Sequence, residues 1–260
     1  MNKFFLKVVI LTTVNLTILC SAQFRTRDRQ TRLESFDEQK FSWGFYLNGN
    51  YFDYHLVLRP KYGMNGNQNL VTSKPSYSFG AGLIGKMKID DSFDFRIEPG
   101  LQFVQRELNF DTQTNDQFSE GSITNGPFTT LVLKDSDKLR TVKSTYLDIP
   151  VLLEYHGDRW YNSRPYIATG FNYMINLQSN SESTDDNLQG VYRSTTHNFA
   201  WTAEMGIQFY FGKFRLTPAL RGTFGINNEL VTDKETTPPY WTPAISTIQT
   251  RAFMLVLKFE

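Results

Sequence analysis

The chain of 260 residues carries 27 basic and 26 acidic side chains, is 40% hydrophobic and 15% aromatic, and has one cysteine. A net charge of +1 lacks the basic surplus of a nucleic-acid binder, and a single cysteine excludes a disulfide framework and most thiolate metal sites. A mean hydropathy of -0.39 excludes a bundle of membrane helices, each of which needs about 20 apolar residues. Yet 22 Phe, 13 Tyr and 4 Trp are many for so polar a chain. A transmembrane β-barrel has both properties, with an aromatic and aliphatic exterior around a polar lumen.

Residues 1–22 open with Lys3 and Lys7, continue through the apolar stretch Val8 to Leu19, and end in Cys20-Ser21-Ala22. The stretch is short for a membrane span and is interrupted by Thr12, Thr13, Asn15 and Thr17, so it reads as a cleaved export signal. Lipidation at Cys20 is disfavoured, because Thr17-Ile18-Leu19 supplies no small residue before it. Removing the signal removes the one cysteine, which suits an oxidising periplasm. Residues 23–40 are polar and charged, and are expected to form a flexible periplasmic segment ahead of a barrel spanning 41–260.

From Phe41 onward the period is two. Phe41, Trp43, Phe45, Leu47 and Tyr51 alternate with Ser42, Gly44, Tyr46, Asn48 and Asn50, the mark of a strand with one apolar face. The same alternation recurs over 77–89, 93–103, 146–155, 166–177, 199–211, 214–226 and 253–259. That is eight strands. Short links at 90–91, 156–163 and 212–213 alternate with long polar links at 55–75, 111–139, 178–196 and 227–249. Such an asymmetry is that of an outer-membrane barrel, with short periplasmic turns and long extracellular loops. The predicted fold is therefore all-β: an eight-stranded antiparallel up-and-down transmembrane barrel with both chain ends on the periplasmic side.

Lumen and lipid face follow from size. Eight strands leave an interior just wide enough for side chains. Rows of Phe and Trp are too bulky for it, whereas glycines and small polar residues fit. The opposite faces also carry Lys86, Lys88, Arg96, Arg215, Arg221 and Lys258 with Asp94, Glu98, Asp148, Glu154 and Glu204. These eleven are expected to fill the lumen as a paired network, since buried charge is tolerated only with partners. Trp160, Tyr161, Trp201, Phe209, Tyr210 and Phe211 are expected at the headgroup level. Pro99, Pro150, Pro165 and Pro218 fall inside strands, where bulges or rim positions are expected.

Catalytic chemistry is weakly represented. His55 and His197 are placed near the extracellular rim and His156 in a periplasmic turn, which spreads them too far for one metal or triad. A rim histidine with a loop serine would suit a lipid-modifying enzyme, but solvated loop histidines are the simpler reading. Asp135-Ser136-Asp137 and Asp185-Asp186 lack the spacing of a calcium loop. Gly80-Ala81-Gly82 and Gly63-Met64-Asn65-Gly66 lack the strand-to-helix context of a phosphate loop, and fit close packing and turns. No cofactor is expected.

The stretch Ser144-Thr145-Tyr146-Leu147-Asp148-Ile149-Pro150-Val151-Leu152-Leu153-Glu154-Tyr155, followed by Arg164-Pro165-Tyr166-Ile167-Ala168-Thr169-Gly170, resembles consecutive strands of the small outer-membrane barrels of Bacteroidetes. Phe79-Gly80-Ala81-Gly82-Leu83 and Ile97-Glu98-Pro99-Gly100-Leu101-Gln102-Phe103 are similar to it too. Within that group the chain looks most like the PorT (SprT) family, which serves type IX secretion and gliding motility. The resemblance implies a non-enzymatic outer-membrane barrel that works through other secretion-system proteins, with a small-solute porin as the rival role. The last strand, Phe253 to Phe259, resembles the terminal signal read by the outer-membrane assembly machinery, although Glu260 follows the aromatic. Expected partners are thus outer-membrane lipid, secretion proteins and that machinery, and no nucleic acid.

Overall fold

The computed structural model describes residues 31–111, 138–183, 192–232 and 241–260. The export signal, residues 23–30 and both Asp-containing loop motifs lie outside the described residues. The strands are β1 (Phe41–Leu58), β2 (Met64–Asn65), β3 (Gln68–Asn69), β4 (Val71–Lys74), β5 (Ser76–Lys88), β6 (Phe93–Ile97), β7 (Gly100–Phe110), β8 (Leu139–His156), β9 (Ser163–Asn176), β10 (His197–Tyr210), β11 (Arg215–Gly225) and β12 (Ile245–Phe259). β6 and β7 are one wall strand interrupted at Pro99. The wall thus has eight strands, all antiparallel, and β1 pairs with both β12 and β5, which closes the ring.

Side-chain parity sorts the wall as the composition requires. Trp43, Tyr77 and Phe171 expose 75%, 86% and 74% of their surface, while Glu98 and Lys258 expose 0%. Outward rings stack across neighbouring strands, as in Phe45 with Phe259 at 5.0 Å and Trp201 with Phe224 at 5.0 Å. Inward, Tyr46 lies over Gly82 and Gly100, where an added Cβ would collide with its ring and hydroxyl. Gly82 makes room for that tyrosine, and Gly80 for the Gln102 and Asn48 side chains, across a narrow bore.

The apolar residues change sides partway along the wall. On β1 the outward face runs from Phe41 to Tyr51 and then becomes Asp53 and His55, while the inward face becomes Phe52, Tyr54 and Leu56. Register carries this boundary around the ring. Tyr51 lies opposite both Phe253 and Tyr77, and one step further Asp53 faces Arg251. Phe103 pairs with Phe79, Leu101 with Leu147, and Leu147 with Ile175. Below this line the outside is apolar. Phe41 to Tyr51 spans ten residue steps at about 3.3 Å, and a tilt of about 40° reduces that to about 25 Å, the height of an outer-membrane band.

Above the line, β1, β7, β8 and β12 continue past the membrane, and β4 joins them by pairing Val71 with Phe110. Here the inside is apolar. Tyr54, Val71, Leu108, Phe110, Val142, Trp241, Ala244, Ile245 and Ile248 form a second core, with Phe110 and Trp241 edge to face at 5.0 Å. Parity reversal is why the sequence pattern placed the first and last strands too short: β1 reaches Leu58 and β12 begins at Ile245. Part of the first long link is also strand, since β2 and β3 form a small hairpin that turns at Gly66 (φ 59°) and β4 follows it.

The prolines do not produce bulges. Ile97 faces Val151 and Gly100 faces Asp148, so the register on either side of Pro99 is unchanged. The same holds at Pro218, between the pairs Gly206–Ala219 and Phe209–Leu216. Pro150 keeps its place opposite Asn172, and Pro165 lies near the short-turn end opposite Ile207. Each proline removes an N–H from the ladder while the strand continues. At Pro99 the gap is bridged by Glu98 N donating to the Pro150 carbonyl at 3.1 Å.

Candidate functional site: the occluded lumen

Six inward charges meet at mid-wall: Arg96 from β6, Arg221 from β11 and Lys258 from β12, with Glu154 from β8, Glu204 from β10 and Glu98 beside Pro99. Arg96 binds Glu98 at 2.9 Å and Glu204 at 2.6 Å, and also Glu154. Arg221 donates its Nε to Glu204 at 2.7 Å and also binds Glu98. Lys258 reaches Glu98 at 2.8 Å and Glu204 at 2.5 Å. Tyr166 and Gln208 complete the shell, donating to Glu204 at 2.7 Å and Glu154 at 2.6 Å. Three cations and three carboxylates neutralise each other, and no residue serves only one partner. This is the condition under which charge persists in a place water cannot solvate.

The remaining expected lumen charges flank this centre. Towards the short-turn end, Lys86 binds Asp94 at 2.5 Å and lies 3.6 Å from Glu154, and Arg215 binds Glu260 at 2.6 Å. Lys88 sits at the mouth, bound to Asp91 at 2.8 Å. Asp148 is buried without an ion pair among the described residues, and accepts from Gln102 at 3.4 Å. All eleven expected residues therefore point inward or into the mouth, and eight join direct ion pairs with one another.

Sequence reasoning missed several occupants. Arg106 is fully buried above the network, with its guanidinium 3.7 Å over the Tyr54 ring and its nitrogens donating to Tyr146 at 2.7 Å and Thr250 at 2.9 Å. Its inward parity was readable, but the strand continues beyond Phe103, where the predicted one stopped. Glu229 folds back from the last long link, accepting from the Thr250 amide at 2.7 Å. Burial raises its carboxyl above the ordinary range, against the pull of Arg106. No local signal marked it. Adding Arg106, Glu229 and Glu260 brings the charges named so far, six cations and five carboxylates from sequence, to seven against seven among the described residues. Tyr210, expected at the headgroups, is instead buried in the mouth, because Phe209 and Phe211 on either side of it take the outward parity.

The histidines occupy three separate places. His156 ends β8 rather than lying in a turn, and its Nε2 is 3.0 Å from Asp94. His197 opens β10, its Nδ1 2.7 Å from the Tyr173 hydroxyl. His55 is on β1 opposite Gln249. Among the described residues no three His, Cys, Asp or Glu side chains come together as a metal site.

Residues 22–231 match the family model described as the outer membrane protein beta-barrel domain. The chain belongs to that family. It is an outer-membrane β-barrel, and its lipid band, short-turn end and mouth are named accordingly below. No curated protein matches the chain. Among solved structures it is similar to the outer membrane protein OprG of Pseudomonas aeruginosa, at 11% identity and a TM-score of 0.43, over 84% of this chain and 95% of that one. It is also similar to Neisserial surface protein A, at 9% identity and a TM-score of 0.36, over 85% and 98% of the two chains. Ail of Yersinia pestis, in complex with the heparin analogue sucrose octasulfate, is similar at 6% identity and a TM-score of 0.36, over 85% and 99%.

This barrel is obstructed at three levels. Apolar side chains pack its long-loop extension, paired charges fill mid-wall, and residues 32–37 cross the short-turn mouth, where Asp37 binds Arg159 at 2.9 Å. That last part of the charged leader, expected to be flexible, is held by the wall. An ion crossing such a lumen would have to displace a salt bridge and then enter a hydrocarbon layer. What remains available for chemistry is surface: the long-loop end, the lipid band and the periplasmic mouth.

Proposed function

We propose that this outer-membrane barrel is a non-enzymatic component of a protein secretion machine, of the kind that serves type IX secretion and gliding motility, acting by protein–protein contact. The observation that supports the reading is the threefold obstruction of the lumen, which leaves the outer surfaces as the working parts. Its strands from Ser144 to Gly170 supply the link to secretion, through their resemblance to the PorT family. The rival role, passage of small solutes, needs a continuous aqueous path, and an eight-stranded bore filled by side chains has none.

Two experiments test the proposal. Purified protein in planar bilayers should give no steady ion conductance, and stable open channels would overturn the structural role. A strain lacking the gene should accumulate secretion substrates in the periplasm, and normal secretion in that strain would refute the assignment to secretion. The second experiment should be repeated with lumen-neutral surface variants of the long links, to locate the contact.

A further inference from the structure

The periplasmic mouth is a built recognition site that the protein fills with its own chain. Arg159 stands 3.7 Å over the Tyr210 ring and donates to the Tyr161 carbonyl at 2.8 Å. Arg164 is fixed by the Gly157 carbonyl at 2.8 Å and the Asp91 carbonyl at 2.9 Å. Arg215 is held by Glu260 at 2.6 Å. These anchors belong to the short turns, to Tyr210 at the end of β10 and to Glu260, so the arginines have wall partners besides the leader, whose Arg32 carbonyl also accepts from Arg159. Among the described residues, Arg159 and Arg164 meet no carboxylate except Asp37.

The occupant fits by two side chains. Asp37 takes Arg159 on one oxygen at 2.9 Å, and on the other it accepts from the Tyr210 hydroxyl at 2.8 Å and lies 3.8 Å from Arg164. Its carbonyl accepts from Lys88 at 3.1 Å. The Phe36 ring lies 4.7 Å under the Arg215 guanidinium, a geometry in which ring and cation attract. Outside these two side chains the occupant is held through its backbone, the Arg32 amide donating to Asn162 at 2.9 Å and the Arg32 carbonyl accepting from Arg159. Its 3-10 turn, Glu34–Phe36, buries no residue, and Leu33 before it is left-handed at φ 53°, a conformation that branched side chains disfavour. A cavity of about 20 Å³ remains between Asp37, Gln39, Lys86 and His156, large enough for a water molecule. The contact is specific in charge and ring, yet leaves a small cavity and a left-handed Leu33.

We propose that this mouth is a docking site for an aromatic–acidic peptide segment of a periplasmic protein, which the chain's own Phe36-Asp37 occupies until a partner displaces it. The barrel supplies the basic mouth and the ring-stacking cation; a partner supplies a Phe-Asp-like pair on an extended, accessible stretch.

A fluorescent peptide with the sequence of residues 31–40 tests this against the full chain in detergent. It should bind a Phe36→Ala, Asp37→Ala double variant at least tenfold more tightly than the wild type, because the internal competitor is removed. A peptide carrying Asp37→Ala should lose at least tenfold in affinity for that double variant. Adding Arg159→Ala to the double variant should likewise cost at least tenfold, with heat-modified gel mobility confirming that the barrel is still folded. Equal affinity for wild type and double variant, absence of binding to both, or indifference to Arg159→Ala would each overturn the proposal. None of these results bears on conductance or secretion, so the site fails or stands apart from the proposed function.

Discussion

Glu204→Gln tests the lumen network at its most connected point. The side chain accepts from Arg96 at 2.6 Å, Arg221 at 2.7 Å, Lys258 at 2.5 Å and Tyr166 at 2.7 Å. Glutamine preserves the shape but leaves three buried cations facing two carboxylates. Breaking a buried pair in this way costs about 3–5 kcal/mol, because the surviving charge cannot be hydrated. For a chain of this size that corresponds to a fall in Tm of roughly 6–20 °C. The assay is urea unfolding in lipid vesicles, followed by tryptophan fluorescence and gel mobility. A second change, Lys258→Met, restores the balance to two cations against two carboxylates and should return part of the loss. A single variant within about 0.5 kcal/mol of wild type would refute the claim that paired charge holds the lumen closed. Additive losses in the double variant would refute the coupling.

Three further outcomes follow from the same geometry. Gly100→Ala places a Cβ against the Tyr46 hydroxyl and should cost about 1–3 kcal/mol, with Tyr46→Phe relieving part of it; equal losses with either residue at 46 would show that the fit is not tight. Leu255→Lys, on the lipid band opposite Gly49, should cost about 2–4 kcal/mol, whereas Gln249→Lys, outward on the same strand above the boundary, should be nearly neutral; similar costs would displace the membrane boundary drawn here. Glu229 has its carboxyl raised by burial, so its contribution to stability is complete below the unfolded value of about 4.3 and falls away as pH rises through the folded value. Amide exchange at Thr250, which donates to this carboxyl, should accelerate from acid towards neutral pH beyond the intrinsic rate. Glu229→Gln should abolish that excess, and an unchanged profile would contradict the assignment.

Much of the wall was legible because a strand alternates its side chains with period two, and one side of this wall faces hydrocarbon. Phe41, Trp43, Phe45 and Leu47 against Ser42, Tyr46 and Asn48 needs no partner to be recognised. The signal failed where the environment reversed. Beyond Tyr51 and Phe253 the outside is water and the inside is apolar, so His55 and Gln249 read as loop, and Asp53 and Arg251 fell outside the predicted strands, although all four lie on strands. Arg106 was lost with the strand end that carries it. Glu229 and Asp37 were beyond reach for a different reason, since each is brought to its partners by a fold-back that no local pattern encodes.

Sequence alone determined the class of this protein, which residues face lipid and which face the bore, and the near-cancelling charge of the interior. These depend on local alternation and on the small bore that eight strands allow. Tertiary structure decided which cation meets which carboxylate: Lys258 reaches Glu98 across 160 positions and Arg96 reaches Glu204 across 108. It also decided that, among the described residues, side chains occupy the bore at both ends. Ring closure sets the register, and register sets which side chains share a level. Until β1 meets β12 no residue has a level to share.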